Sequence, residues 1–391
     1  MKHLKTIRRA NSRTGRLFLG LLAVYAALLC TLGGVDYLCP DTLSVYGTGL
    51  VGDTDGVYCS SREVTLTIGG VIPLKTVTVN AWEETQLIPG GMLFGVRCGM
   101  EGVLVVGMED VTVGVCPAKD AGMRVGDIVT AVNGEAVTTV KALSDIVSED
   151  GRSGRSTTLT VRRGSAGEVL SLTLTAARAA DGVFRAGLWT RDQTAGIGTV
   201  TFIDPQTGMF GGLGHGICDP ETGCLLPLLR GTTLGVTVGE IVPGSAGVPG
   251  ELRGSFSGER TGTLLENTDC GVLGMFSAVP AGSTGAVPMG HAADIHAGEA
   301  TILCTLDAGG VCEYDIRILS VGDTASRSNK NFVIEVTDPE LLSRTGGIIQ
   351  GMSGSPILQD GRLIGAVTHV MVNQPQRGYG IFIENMLEAA G

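Results

Sequence analysis

Aromatic side chains are scarce in this chain, 4% of 391 residues with only two tryptophans, whereas glycine occurs 61 times. Such a composition predicts many turns and short strands. Histidine is also rare: there are five, and His3 lies in the basic N-terminus. Imidazole chemistry must therefore come from His215, His291, His296 or His369. Positive charge is in deficit, for a net charge of −11, and no basic stripe follows the N-terminus. Both facts argue against nucleic acid as a partner. No Cys-x-x-Cys pair occurs, and the ten cysteines define no disulfide framework. No Glu follows His291 in His291-x4-His296, so the zincin metal pattern is missing. Disorder is excluded too: 43% hydrophobic and 17% charged residues fit globular packing, and the length allows two domains with ancillary segments.

Leu17 to Gly34 runs eighteen residues without a charge, after a stretch with six basic and no acidic residues. As a helix it would span roughly 27 Å, close to a bilayer's hydrocarbon core. The basic flank predicts a cytoplasmic N-terminus and a translocated body. The run is long for a signal-peptide core, and no clean Ala-x-Ala site follows it. Residues 1–37 are thus expected to be a basic tail and a membrane anchor. Residues 38–87 are expected to be a stalk with short strands, such as Val64–Ile68 and Val77–Val79.

A more specific pattern starts near Ile88. Gly91-Met92-Leu93-Phe94-Gly95 is a glycine-bounded loop entering a strand, followed by Gly102–Val106 and Ala121-Gly122-Met123-Arg124-Val125-Gly126-Asp127-Ile128. An apolar strand then leads to Asn133-Gly134 at a tight turn. These residues resemble a PDZ domain over 88–178, with a helix at 140–147 and closing strands at 159–162 and 170–174. The resemblance implies a groove that takes an extended peptide by strand addition. Gly91, Met92, Leu93, Phe94 and Gly95 would form its binding loop.

Gly351-Met352-Ser353-Gly354-Ser355-Pro356 carries the reactive pattern. Glycines on both sides of Ser353 allow a tight turn that exposes the hydroxyl, and the Gly351 and Ser353 amides can form an oxyanion hole. Strand 357–359, the Asp360-Gly361 type I′ turn and strand 362–372 follow as a hairpin. Ser355 is the alternative nucleophile. His215 stands between Gly214 and Gly216 at a strand end, before the serine in the chain. That order, with the serine at a hairpin, is the layout of chymotrypsin-like peptidases. His369 reads as structural or pocket-lining. His215 with Cys218 and Cys224 offers a metal alternative of only three ligands. Spacing leaves the orienting carboxylate open among Asp338, Asp294, Asp219 and Asp192.

Together with Arg191-Asp192, Ala195–Thr199, Phe210–Gly216, Thr345–Pro356 and Gly365–Val370, the chain resembles the stage IV sporulation protein B peptidases. The resemblance implies a mainly β protein with an N-terminal transmembrane helix, a PDZ domain and a chymotrypsin-like double β-barrel over 185–391. It places the catalytic histidine, aspartate and serine on His215, Asp338 and Ser353, with no metal or cofactor. It also implies a membrane-anchored or secreted serine endopeptidase in the space between the forespore membranes. Its substrates would be itself and a membrane-bound regulator of an intramembrane protease, whose cleavage leads to sigma-factor activation. The competing reading is a PDZ adaptor with a degenerate peptidase-like domain.

Overall fold

Alternating apolar and polar residues, rich in β-branched types and cut by glycine turns, make strands the dominant element. The computed structural model describes residues 42–46, 59–68, 72–82, 85–164, 167–280 and 283–389. The apolar run at 17–34 lies outside them, and among the described residues no helix is long and apolar enough to cross a membrane. The described residues fall into two compact units, divided between Thr85 and Gln86. The first unit contains β1 (Thr42–Tyr46), β2 (Cys59–Ile68) and β3 (Ile72–Trp82). β2 and β3 pair antiparallel, and β1 adds parallel to β3.

The second unit opens with β4 (Gln86–Pro89) and β5 (Leu93–Met108). Next come α1 (Pro117–Asp120), β6 (Ile128–Val132), β7 (Glu135–Ala136), α2 (Val140–Arg152), β8 (Thr157–Arg163), β9 (Glu168–Leu174), β10 (Ala177–Arg178) and β11 (Phe184–Arg185). α2 is capped by Thr139, whose hydroxyl accepts from the Ala142 amide at 3.2 Å, and it buries Leu143 and Val147 one turn apart. Asn133 and Gly134 both take positive φ, as a type I′ turn requires. The chain returns through β12 (Leu188–Ile203), β13 (Met209–Gly212), β14 (Leu228–Val242), β15 (Glu251–Thr268), β16 (Gly271–Phe276) and β17 (Val287–Pro288).

β5, β12, β13, β16, β15 and β14 pair in a closed ring, because β12 bonds β5 as well as β13. Phe94, Phe210 and Phe276 fill this first barrel with Val200, Val272 and Leu264. Glycines make room for these rings: a Cβ on Gly274 would lie 2.5 Å from the Phe210 ring, and one on Gly212 would lie 2.9 Å from the Phe94 ring. β5 is shared within one continuous sheet, its first half closing the barrel and Val103–Leu104 pairing with β6 of the insert. The bend falls at Gly102, whose φ of 124° and contact with the Val129 carbonyl exclude a side chain.

This placement corrects two expectations. The sequence put residues 88–178 in the PDZ-like segment and the peptidase at 185–391, but residues 86–100 belong to the first barrel. Contiguity misled: one unbroken strand joins barrel and insert. Nor do Gly91–Gly95 form a peptide-binding loop. Gly91 donates to Val200 O at 2.8 Å and accepts from the Thr305 hydroxyl, Phe94 is buried, and Phe256 covers Gly95. The PDZ-like part is an insert between β5 and β12.

The second barrel is β18 (Gly298–Thr305), β19 (Val311–Val321), β20 (Phe332–Val336), β21 (Pro356–Gln359), β22 (Arg362–Met371) and β23 (Gln374–Phe382), closed by β18 against β21. α3 (Pro339–Thr345) precedes the serine turn, and α4 (Ile383–Glu388) ends the described chain. Asp360 and Gly361 both have positive φ, so the expected type I′ turn joins β21 to β22. Leu87, Phe202 and Leu273 of the first barrel meet Leu363, Ala366 and Ile381 of the second in one apolar cluster. The fold is thus mainly β, a double barrel carrying a PDZ-like insert.

A chain starting at Gly182 loses β5, the partner of β12 from Leu188 to Thr199. It should lack folded-state circular dichroism and fail to label with a fluorophosphonate, whereas one starting at Gln86 should fold. A folded, reactive 182–391 fragment would show that the first barrel closes without β5.

Candidate active site

Ser353 lies in the turn between α3 and β21, where Gly351 and Gly354 have φ of 103° and 94°. Gly354 cannot be replaced without strain, since a Cβ there would lie 2.1 Å from the Thr199 carbonyl. The first barrel holds this turn. Thr199 donates its amide to Ser353 O at 3.0 Å and its hydroxyl to Gly351 O at 2.8 Å. The Thr201 hydroxyl donates to Gly354 O at 2.8 Å. Both threonines are fully buried. The Gly351 and Ser353 amides have no hydrogen-bond acceptor among the described residues, whereas Gly354 N donates to Val367 O. Two unclaimed amides flanking a serine are what an oxyanion hole needs.

His215 follows β13, so the histidine comes from the first barrel and the serine from the second. They line one cavity of about 510 Å³, together with Gly351, Thr368 and His369. His215 Nδ1 lies 2.9 Å from the Gly216 carbonyl. A carbonyl only accepts, so Nδ1 carries the proton and Nε2 keeps the lone pair a base requires. Burial lowers the His215 pKa, and the hydrogen bond to Gly216 opposes that shift. The Ser353 hydroxyl donates to Thr368 O at 2.9 Å. The His369 ring lies 5.0 Å from that of His215, and its pKa is pushed down to about 4 by burial, then by His215 and Lys330.

No carboxylate lines the cavity among the described residues. Asp338, which the resemblance places beside the histidine, instead caps α3: its Oδ1 accepts from Leu341 N at 2.9 Å and its Oδ2 faces Asp315 N at 3.5 Å. The Asp338-Pro339-Glu340 start is a helix N-terminus signal in its own right. The rival carboxylates are also engaged elsewhere. Asp192 accepts from Val140 N at the start of α2, and buried Asp219 accepts from Arg191 and from the Thr222 amide. His291 is buried against Glu384 at 2.6 Å, and exposed His296 faces Asp360 at 3.8 Å. Ser355 is fully buried and does not line the cavity. Among the described residues no three His, Cys, Asp or Glu side chains converge as metal ligands. Thr199 and Thr201 escaped the sequence reading. Their signal is period two: hydroxyl residues flanking Val200 in the buried end of β12, where Phe202 and Ile203 follow.

A sequence profile described as SpoIVB peptidase S55 matches residues 182–387, just over half of the chain. The chain belongs to the SpoIVB peptidase S55 family. It is a serine peptidase. A PDZ-domain profile matches residues 111–163 of this peptidase, within the insert. A search of curated proteins returned no match. Among solved structures, the active form of the Rv3671c protease from M. tuberculosis is 15% identical, with TM-score 0.30, covering 50% of this chain and 72% of its own. The HtrA-type protease AlgW with a decapeptide is 13% identical, with TM-score 0.30, covering 51% and 53%. Deg5 is 14% identical, with TM-score 0.29, covering 49% and 81%. At such TM-scores the overlap is partial, and the site stands on the peptidase's own geometry.

The cap at Asp338 has a measurable consequence. Asp338→Ala should lower stability by about 1 kcal/mol in denaturant unfolding, because Leu341 N loses its acceptor, while Asp338→Asn should keep most of the cap. Equal losses in both variants would show that the charge matters beyond capping.

Proposed function

We propose that the chain is an exported serine endopeptidase in which Ser353 is the nucleophile and His215 the general base. The observation that carries this reading is the shared cavity: a glycine-framed serine from one barrel faces a histidine of the correct tautomer from the other. The Ser353 hydroxyl leaves Thr368 O and turns to His215 Nε2 when substrate enters. His215 takes the proton, the serine oxygen attacks the peptide carbonyl, and the Gly351 and Ser353 amides hold the oxyanion. His215 then protonates the leaving amine, and water hydrolyses the acyl-enzyme by the same path reversed. Nδ1 of His215 keeps its bond to the Gly216 carbonyl throughout, which supports the imidazolium.

Substrate is presented by the insert. A cavity of about 320 Å³ runs between α2, at Val140, Leu143 and Val147, and the segment 184–190. An apolar helix face opposite a strand suits an extended peptide, and this groove replaces the Gly91–Gly95 loop as the binding element. Family membership supports the wider reading: anchorage by the 17–34 segment, a body between the forespore membranes, self-cleavage, and cleavage of a membrane-bound regulator of an intramembrane protease during sporulation.

Ser353→Ala should leave a folded protein that neither labels with a fluorophosphonate nor trims its own N-terminal region, as read by intact mass. Continued self-trimming in the purified variant would exclude Ser353 as the nucleophile. The pH profile is a separate check. A base works only when neutral, and burial favours the neutral form of His215. Activity should therefore be lost as pH falls through a midpoint below 6.5, the ordinary histidine value. A midpoint above 6.5 in kcat/KM would mean that another group is titrating.

A further inference from the structure

We propose that His369 is a positioning residue for this peptidase, bracing the imidazole of His215 by packing its own ring against it. The inference rests on the assignment of Ser353 and His215, and it adds a third side chain to them. Four observations converge on it. Among the described residues, His369 and His215 are the two imidazoles that line the cavity containing Ser353. Their rings lie 5.0 Å apart at 39°, in direct packing contact. Thr368, the residue before His369, provides the carbonyl that holds the Ser353 hydroxyl at 2.9 Å, so one stretch of β22 touches both the serine and the base. The Nδ1 atom of His369 is buried and has no hydrogen-bond partner, a state that costs stability unless it serves something.

The electrostatics fit a neutral brace. In the resting site His215 has only the Gly216 carbonyl on Nδ1, and no carboxylate lines the cavity. The imidazolium formed during acyl transfer therefore depends on its neighbours being uncharged. The charged or titratable groups around His369 are His215 from the turn after β13 and Lys330 from the segment before β20, with Cys218 across the cavity. Lys330 lies 5.3 Å over the Tyr379 ring, which keeps its charge on β23. Burial first, then His215 and Lys330, hold His369 in the neutral form at neutral pH. Protonating it would place a cation against the imidazolium and oppose proton transfer from Ser353.

The test uses the full chain, its His369→Ala variant and its His369→Phe variant. Fluorophosphonate labelling and peptide hydrolysis are measured from pH 3 to 8, with circular dichroism as the folding control. Wild type labelled at Ser353 establishes the underlying reading, and its failure to label would sink that reading and not this one alone. With wild type labelled, His369→Ala should lower kcat by about 10²-fold with little change in KM, the size expected when a catalytic group is misplaced. His369→Phe keeps a ring against His215 and should recover most of that loss at neutral pH. The acid limb separates bracing from mere packing. In wild type it should steepen beyond a single ionisation toward the low end of the range, and in His369→Phe it should stay at a slope of one. Wild-type kcat in His369→Ala, or an acid limb in His369→Phe identical to that of wild type, would overturn the proposal. If His369→Ala does not fold, the slope in His369→Phe still decides.

Discussion

The grip of β12 on the serine turn is the constraint on which the rest of the site depends. Three hydrogen bonds run from Thr199 and Thr201 to the carbonyls of Gly351, Ser353 and Gly354. Their donors are buried, so each unmade bond would leave a dry polar group. By using up the turn's carbonyls, these bonds fix its orientation and leave the Gly351 and Ser353 amides unclaimed. The same close approach dictates glycine at 354, where the Thr199 carbonyl occupies the space of a side chain. Catalytic geometry here is a property of the interface between barrels, and the apolar cluster of Phe202, Leu363 and Ile381 holds that interface shut.

β12 also ties the site to the insert. Leu188 and Thr190 line the groove beside α2, Asp192 caps α2 at Val140 N, and Thr194–Ile197 line the catalytic cavity. Arg191, between these stretches, pairs with buried Asp219 in the loop that follows His215. The groove and the cavity therefore share one strand, with no hinge of loop between them. A peptide added along Leu188–Thr190 would bear on the same strand that grips the serine.

Much of this was legible in the sequence, for identifiable reasons. The serine turn, Gly214 before His215 and both type I′ turns announce themselves because glycine, asparagine or aspartate is favoured where φ is positive. The first barrel was harder. Its opening strands, residues 86–100, run straight into the insert at Gly102, and no linker composition marks the junction. Asp338 illustrates a different limit. An aspartate before a proline can orient a histidine or cap a helix, and in this structure the cap claims its oxygens. His369 was read as pocket-lining, since an imidazole's neighbours are set by the closed barrel and not by spacing along the chain.

An insert between two barrel strands also dictates the order in which the molecule can be assembled. A chain made from its N-terminus presents β5 long before β12, its partner across the insert, so the first barrel must wait while the PDZ-like part is completed. The seat for the serine turn, at Thr199 and Thr201, and the histidine at 215 are then both made before Ser353 is. Ser353 is the last of these parts to arrive, and its turn takes its seat only on docking into a barrel already built. A nascent chain therefore holds no complete serine pocket until β22 and β23 have emerged.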